Sequence, residues 1–411
     1  MDGEGAILPI TFRPIVLFSI GVWGWALNLL ILTRCGIDLN SILQIHPIDK
    51  HTPLYKSVFF LSGLFSIILF LNLVLYWFYQ SETIALFSYI FTLVLVLWPG
   101  KSLYRKERMR FIRMLKRVFS INIFASVFFS DIILADMMTS FSNVFGDLFI
   151  ANCIIFSGHD SSYFMDNTHN IYYFDIMVPL LIGIPYLIRL RQCITEYIEF
   201  KEKRHLLNAL KYASSIPVVI FSALYRKATI YIAEMGTVPT HWPLKEDTIF
   251  RIWILLVFIN SMYSFWWDIS VDWNLINVTL DSQQHQKKTT LLSSSTPLIH
   301  FRRQLYFPQT SCYILAIFFD FLLRITWSFK LSSHFYIRKL DTSLFLMGLL
   351  EILRRWIWVI FRIENEWVKK VYSVSLPNTL DQLRMNRLDR KPSSSSSSGL
   401  LPPIAEEESL L

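Results

Sequence analysis

The chain has 411 residues, of which 53% are hydrophobic and 17% are charged, and its formal net charge is +8. Soluble domains carry about 25% charged residues, and a single soluble core could not bury this much apolar surface, so these values exclude a soluble globular protein. Repeated apolar runs of about twenty residues match the length that crosses roughly 30 Å of hydrocarbon, and they predict an all-α, polytopic transmembrane helical bundle.

Nine apolar segments are predicted to span the membrane, and a broken or re-entrant helix would make ten. They lie at residues 14–34, 57–79, 83–99, 120–145, 172–190, 212–233, 249–271, 311–331 and 342–362. We divide the chain into N-terminal spans with a basic amphipathic helix (1–119), a transmembrane core (120–375) and a disordered cytoplasmic tail (376–411). The tail is serine-rich, and its end, EEESLL, resembles a dileucine-type sorting signal; a plain solvated tail is the alternative.

The distribution of Lys and Arg predicts the orientation of the bundle. Segment 101–117 holds eight basic residues and a partial apolar face, so we expect a cytoplasmic helix that lies on the membrane surface. Loop 147–170 contains three aspartates and no Lys or Arg, so we expect it in the lumen or outside the cell. The basic stretches 189–205 and 274–310 return to the cytoplasm. With nine spans, the N-terminus is then lumenal and the C-terminus cytoplasmic.

Two classes of ligand are not expected. The basic clusters flank predicted spans, so they are explained by the lipid bilayer and not by nucleic acid. The 4 cysteines form no CxxC pair, and the histidines lack ligand spacing, so we predict no metal ligand and no cofactor.

Ionisable residues inside predicted spans are costly and usually face the bundle interior or a water-filled path. This chain has many of them: Asp136, Lys211, Asp268, Asp272, Asp320, Arg324, Glu351, Arg354, Arg355, Arg362, Glu364 and Glu366. Spacing of three, four or seven places such side chains on one helix face, as for Glu351 with Arg355, Asp320 with Arg324 and Arg355 with Arg362. Any one such pair is best explained as an interhelical salt bridge, but the whole set exceeds what structural pairing needs.

Arginine clusters indicate a site for a tetrahedral anion such as phosphate, because guanidinium forks match oxyanions bidentately. Asp268 and Asp272 would position these cations and lower the net charge, so that the anion can leave as well as enter. Trp266, Trp267 and Trp273 would form apolar walls or, alternatively, an interface belt. Two aspartates on one helix beside several cations do not fit an aspartyl protease, and we predict no catalytic residue and no enzyme.

Several motifs resemble those of the EXS-domain family, which includes phosphate exporters. YSFWWDISVDWNL resembles the family's WDxxxDW signature, FDFLLRITW its DxxLRxTW segment, and LRRWIWVIFRIENEW its RRxxWxxxRxExE signature. KYASSIPVV and IPYLIRLRQCITEY resemble its other two helix motifs, so the likeness covers about residues 120–370. We expect no SPX domain before the first span, hence no gating by inositol pyrophosphates of that kind. This short architecture resembles the ERD1-type fungal branch named for defective retention of endoplasmic-reticulum proteins.

Carried over position by position, the resemblance implies which residues form the site. Those expected to contact phosphate are Asp136, Lys211, Tyr212, Asp268, Asp272, Arg324, Trp327, Arg354 and Arg355. Those expected to gate or support the site are Arg189, Asp320, Glu351 and Arg362.

The resemblance also implies a function and a compartment. It implies a Golgi or endoplasmic-reticulum membrane protein that moves inorganic phosphate, left by glycosyl transfer, from the Golgi lumen to the cytosol. The alternative is a sorting protein that retains glycosyltransferases through a coat or Golgi adaptor bound to its tail. The sequence is also compatible with a homodimer.

Overall fold

The computed structural model describes residues 8–44, 53–158, 172–236, 244–278, 299–302, 304–326 and 340–388. Within this part of the chain the protein is helical apart from one short pair of strands, so the predicted all-α class is confirmed. Met1–Trp367 form one compact unit and Val368–Leu411 a second. The finer division at residues 119 and 375 stays a prediction.

Five helices precede the charged part of the bundle. A 3₁₀ turn, Ile10–Phe12, leads into the first of them. They are α1 (Arg13–Arg34), α2 (Leu39–Ile42), α3 (Leu54–Tyr79), α4 (Ile84–Leu97) and α5 (Arg105–Val118). Helix α5 is the basic amphipathic helix that the sequence predicts.

Eight helices follow and carry the charged residues. They are α6 (Phe129–Ser140), α7 (Ser142–Ser157), α8 (Tyr172–Phe200), α9 (Lys203–Ala213), α10 (Ser215–Met235), α11 (Glu246–Trp267), α12 (Thr310–Arg324) and α13 (Leu340–Leu388). Helix α11 ends in a wide π turn, Asp268–Asp272. Strands β1 (Ile276–Val278) and β2 (Ile299–Phe301) pair antiparallel inside the predicted basic loop 274–310, with Asn277 opposite His300.

Each of the nine predicted spans overlaps at least one helix of the described chain. Five segments of the described chain are long and apolar enough to cross a membrane: Ile10–Arg34, Leu54–Tyr79, Asp175–Phe200, Lys203–Ile232 and Glu246–Asp272. Helices α6 and α7 together qualify as a sixth, bent by 61°. The other three predicted spans correspond to α4, to α12 and to α13, which carries charged residues within its apolar part.

The limits of the fourth predicted span, 120–145, are wrong. Residues 120–128 are not helical, and helix α6 starts only at Phe129, where the Asp131 carboxylate accepts a hydrogen bond from the backbone N–H of Phe128 (3.5 Å). An acidic side chain in the first turn stabilises such a helix start. The chain bends at Phe141 and continues as α7, so Asp147 lies in a helix and not in the predicted loop 147–170.

Two other predicted boundaries also move. Helix α8 continues to Phe200, so much of the basic stretch 189–205 is helical. Helix α13 continues to Leu388, so residues 376–388, which we expected to be disordered, are helical. Residues 389–411, with the predicted sorting signal, lie outside the described residues.

The largest apolar core of the described chain lies around the acidic turn and helix α13. Trp273, Tyr313 and Trp358 are all fully buried in it, with residues of α1, α12 and α13. The Trp273 ring N–H donates to the carbonyl of Trp358 (3.2 Å), and the Trp358 ring N–H donates to the Asp272 carboxylate (3.3 Å). Trp267 is also buried, whereas Trp266 is 45% exposed. Trp267 and Trp273 are therefore buried apolar walls beside the acidic turn, and the tryptophan that contacts the Asp272 carboxylate is Trp358 on α13.

Candidate functional site: a buried cluster of ion pairs

The predicted site residues converge from six elements of the fold. Twelve of them are described, and one, Trp327, lies outside the described residues. Helices α6, α8 and α9, the π turn, and helices α12 and α13 supply them. All twelve belong to one network of ion pairs, hydrogen bonds and ring contacts, which we call the central cluster.

Asp268 is the centre of this network and is fully buried. Its Oδ1 accepts a hydrogen bond from Lys211 Nζ (2.9 Å), and its Oδ2 is paired with Arg324 and lies 3.6 Å from Arg354 Nη1. Three cations from three helices thus meet one carboxylate. π turns often occur at functional sites, and this one lets Lys211 also approach Asp272, at 3.6 Å.

Helices α12 and α13 are joined by a chain of ion pairs. Asp320 accepts from Arg324 Nε (3.2 Å) on its own helix, as the spacing of four predicts, and from Arg354 Nη1 (3.3 Å) on α13. Glu351 pairs with Arg354, whose Nε donates at 3.2 Å. Arg355, which the spacing places on the same face of α13 as Glu351, donates instead to the Ser140 hydroxyl (2.9 Å).

A second part of the central cluster surrounds Asp136 on α6. Its Oδ1 accepts from Arg189 Nε (2.7 Å) and from the Tyr212 hydroxyl (2.5 Å). The Arg189 guanidinium also lies over the Tyr212 ring at 4.8 Å and donates to the Gln192 side chain (2.5 Å). Lys211 Nζ lies 5.4 Å from the centroid of the same ring, which connects this part to Asp268.

Asp272 and Arg362 form the far end of the cluster. Arg362 Nε lies 3.7 Å from Asp272 Oδ1, and its Nη1 donates to Glu366 (3.3 Å) on the next turn of α13. The guanidinium also lies over the Phe129 ring, at 5.2 Å from the centroid. Arg362 therefore joins the acidic turn to the start of α6, which fits the expected supporting role.

Arg355 differs from every other cation of the cluster. It is buried, yet no carboxylate pairs with it among the described residues. Its Nε donates to the Ser140 hydroxyl (2.9 Å), its Nη2 donates to the Thr139 hydroxyl (3.2 Å), and the group lies 4.6 Å from the Trp358 ring centroid. Both hydroxyls come from the last turn of α6, just before the bend at Phe141.

The charges of the central cluster balance in number but not in position. Arg189, Lys211, Arg324, Arg354, Arg355 and Arg362 face six carboxylates, those of Asp136, Asp268, Asp272, Asp320, Glu351 and Glu366. Among the described residues, Arg355 is the cation of the cluster that no carboxylate contacts. A buried cation without a counter-charge is unfavourable unless an anion binds beside it. The arrangement can therefore accept an oxyanion.

A family model described as the EXS family matches residues 8–368. The match covers most of the 411 residues. The chain belongs to the EXS family. The resemblance inferred from the motifs is thereby confirmed.

Relatives of different length share this EXS region. Protein ERD1 homolog 1 of Schizosaccharomyces pombe is 27% identical over 387 residues, 91% of this chain and 94% of its own. SPX and EXS domain-containing protein 1 of Dictyostelium discoideum is 28% identical over 88% of this chain and 37% of its own length. Human Solute carrier family 53 member 1 is 26% identical over 88% of this chain and 49% of its own. The chain thus matches the first along nearly its whole length and spans half or less of the two longer proteins.

The EXS chain contains a second buried ionic network that sequence reasoning missed. Arg302 Nη2 donates to both oxygens of Glu364, each at 2.6 Å, and its Nη1 donates to Asn365 Oδ1 (3.0 Å). Glu364 also accepts from the Tyr313 hydroxyl (3.0 Å) and from the backbone N–H of Tyr306 (3.1 Å). We had assigned Arg302 to a basic cytoplasmic loop, and no spacing rule connects it with a residue 62 positions away.

This network supports the acidic turn of the EXS site. Asn365 donates to the backbone carbonyl of Asp272 (2.8 Å), so Asn365 joins the Arg302–Glu364 pair to Asp272 through two hydrogen bonds. Thr139 and Ser140 were also missed, although their positions three and four residues after Asp136 place them on one helix face. In the described residues no group of three or more His, Cys, Asp or Glu is arranged to hold a metal ion.

Proposed function

We propose that this EXS protein carries inorganic phosphate across a membrane and that the central cluster is its binding site. The observation that carries the proposal is Arg355, a buried guanidinium held by two hydroxyls and a ring with no carboxylate partner among the described residues. Its Nη1 makes no hydrogen bond within that part of the chain, so it retains donors for a tetrahedral oxyanion.

The carboxylates explain how a bound anion leaves again. Asp268 and Asp320 neutralise Arg324 and Arg354, the two cations that join Arg355 to Lys211. A transport site must bind its ion favourably enough to admit it and weakly enough to release it. A cluster in which five of the six cations are paired and Arg355 is not meets both conditions better than six uncompensated cations would.

The bend between α6 and α7 supports a transport path over a static binding site. Broken helices near the middle of a membrane protein typically place helix ends and polar side chains at the substrate site. Here Thr139 and Ser140 lie at the end of α6, Ser142 begins α7, and Ser142 contacts the Tyr186 hydroxyl (3.2 Å). The break therefore brings a polar patch next to Arg355.

The compartment and direction form part of the proposal. Phosphate would pass from the Golgi lumen to the cytosol, in a membrane of the Golgi or endoplasmic reticulum, with the N-terminus lumenal and the C-terminus cytoplasmic. Similarity to ERD1 homologues along nearly the whole chain supports this placement. Removal of phosphate would support Golgi glycosylation and the retention of endoplasmic-reticulum proteins. The alternative, glycosyltransferase retention through an adaptor, would depend on the tail beyond residue 388, and a homodimer is compatible with either role.

The test is the flux of radiolabelled phosphate in proteoliposomes that contain the purified chain. We expect Arg355→Gln and Arg324→Ala to lower flux at least about 100-fold, because each removes a charged donor to the anion. The matched control is Arg226→Gln, which removes an exposed arginine of α10 outside the cluster and should leave flux unchanged. If the folded wild type moves no phosphate under a gradient in either direction, the transport function is wrong.

A further inference from the structure

Helix α5 carries a basic surface that the central cluster does not use. We define this α5 surface by its exposed cations, Lys101, Arg105, Lys106, Arg113 and Lys116. None of the five forms an ion pair within the described chain, and Glu107 is the acidic residue of the helix. Unpaired cations in this number repel one another, so the surface is more stable when an anion covers it.

The orientation of helix α5 is fixed by two arginines that are not part of the α5 surface, Arg108 and Arg117. Arg108 is buried and donates to backbone carbonyls at the end of α4 and in the following turn, among them Leu95 (3.1 Å), Trp98 (2.8 Å) and Leu103 (2.7 Å). Burial lowers the pKa of the Arg108 guanidinium, and the neighbouring Arg105 lowers it further.

Arg117, at the other end of α5, donates to both oxygens of Asp131 at 2.8 and 2.7 Å, and this pairing raises its pKa. The pair joins the end of α5 to the start of α6. Both ends of the helix are therefore attached to the bundle, and the exposed cations project from a rigid support. A rigid surface loses little conformational entropy when it binds.

Large apolar side chains follow the basic surface directly. Ile121 is 90% exposed and Phe124 is 84% exposed, which are extreme values for residues of this kind. Their loop is ordered by Asn122, whose side chain accepts from the backbone N–H of Phe124 (2.9 Å) and whose carbonyl accepts from Arg191 (3.0 Å). Exposed apolar side chains beside a basic helix face are typical of segments that lie in the membrane interface.

We propose that the α5 surface binds the headgroups of anionic lipids, while Ile121 and Phe124 enter the acyl layer beside them. The cations supply the selectivity for negative charge, and the two apolar side chains select a lipid over a soluble phosphate compound. Charge complementarity makes an anionic leaflet the occupant, since basic clusters on amphipathic helices next to a span attract such lipids. This inference does not depend on phosphate transport.

The test measures lipid binding to the full chain purified in a neutral detergent. Phosphatidylserine and phosphatidylcholine are added in equal amounts, and the bound lipids are counted by native mass spectrometry. We expect preferential retention of phosphatidylserine, and in Arg105→Gln/Lys106→Gln/Arg113→Gln we expect its apparent affinity to fall roughly 100-fold, since each charge near the surface contributes about a factor of five. The matched control, Lys201→Gln/Lys203→Gln/Arg204→Gln, removes three exposed cations near the start of α9 and should retain the preference.

A second variant distinguishes a lipid from a soluble anion. Ile121→Ser/Phe124→Ser should weaken phosphatidylserine binding about tenfold or more and leave the binding of pyrophosphate, used as a soluble probe, unchanged. Equal retention of both lipids by the wild type, or an equal loss in the α9 control, would overturn the proposal. If the apolar substitutions have no effect on phosphatidylserine, the surface binds soluble anions and the lipid assignment is wrong.

Discussion

Two buried arginines of this protein have opposite surroundings. Arg302 meets a carboxylate in a bidentate pair, and that carboxylate is further satisfied by the Tyr313 hydroxyl and the backbone of Tyr306. Among the described residues, Arg355 meets only the hydroxyls of Ser140 and Thr139 and the face of a tryptophan ring.

The different partners of Arg302 and Arg355 distinguish a cation with a structural role from one that is available to a ligand. A buried charge is tolerated when its partner is close and hydrogen-bonded, and such a pair fixes geometry without retaining capacity for another anion. A buried charge whose partners are neutral retains most of its attraction for an anion. The Arg302–Glu364 pair therefore holds the acidic turn in place, and Arg355 is the cation that would receive phosphate in the proposed function.

The largest expected effect comes from breaking the compensated pair. Glu364→Ala leaves Arg302 buried without a counter-charge, and we expect it to lower the free energy of unfolding by about 3–5 kcal/mol. Thermal unfolding in detergent, followed by tryptophan fluorescence, measures this loss. The double variant Arg302→Met/Glu364→Leu should recover most of it, because apolar side chains replace both charges. A single variant as stable as the wild type would show that the pair is not structural.

The next effect concerns the counter-charges of the central cluster. Asp268→Asn keeps the shape of the side chain and removes the negative charge shared by Lys211, Arg324 and Arg354. We expect phosphate to bind at least about tenfold more tightly, because the local positive charge rises by one at short range. Release should slow, so flux at saturating phosphate should fall. Isothermal titration with phosphate and the flux assay measure the two quantities; weaker binding would contradict the assigned role of the carboxylate.

The smallest effect tests the hydroxyls that hold Arg355. Ser140→Ala removes the acceptor of Arg355 Nε and a donor to Glu351 (3.3 Å). A hydrogen bond of this kind contributes about 0.5–1.5 kcal/mol, so the KM for phosphate flux should rise roughly two- to tenfold. Ser62→Ala is the control, since the Ser62 hydroxyl donates to the backbone carbonyl of Val58 on α3 (2.6 Å), outside the central cluster. Equal shifts in both variants would argue against a specific role of Ser140.

Many of the site residues were predictable because a charged residue within an apolar segment is visible in the sequence without knowledge of its partner. Asp268 and Asp272 stand out as charges in an apolar segment, and intramembrane charges face the bundle interior whatever the partner is. The pairing of Asp320 with Arg324 follows from helical spacing alone. The family motifs supplied the order of the helices that carry these residues, and the match over residues 8–368 confirms that inference.

The limits of prediction lie where a contact joins distant segments. A broken helix was considered, but the bend at Phe141 was not located. Helices α6 and α7 form one continuous apolar run, and hydropathy does not show where the helix axis changes direction. The partner of Arg302 was missed because Glu364 belongs to another element. Spacing also left the ion-pair partner of Glu351 undecided, since residues three and four positions away are equally near on a helix and only the neighbours of α13 decide between them.

The sequence by itself determined the class of fold, the number and order of the apolar segments and which residue types meet in the membrane, because hydropathy and helical period are local properties of the chain. Which cation lacks a carboxylate partner among the described residues follows from tertiary packing alone. It depends on six carboxylates reaching five of the six cations, partly across helices far apart in sequence. Electrostatic compensation is a sum over neighbours in space, and the neighbours of Arg355 are set by packing.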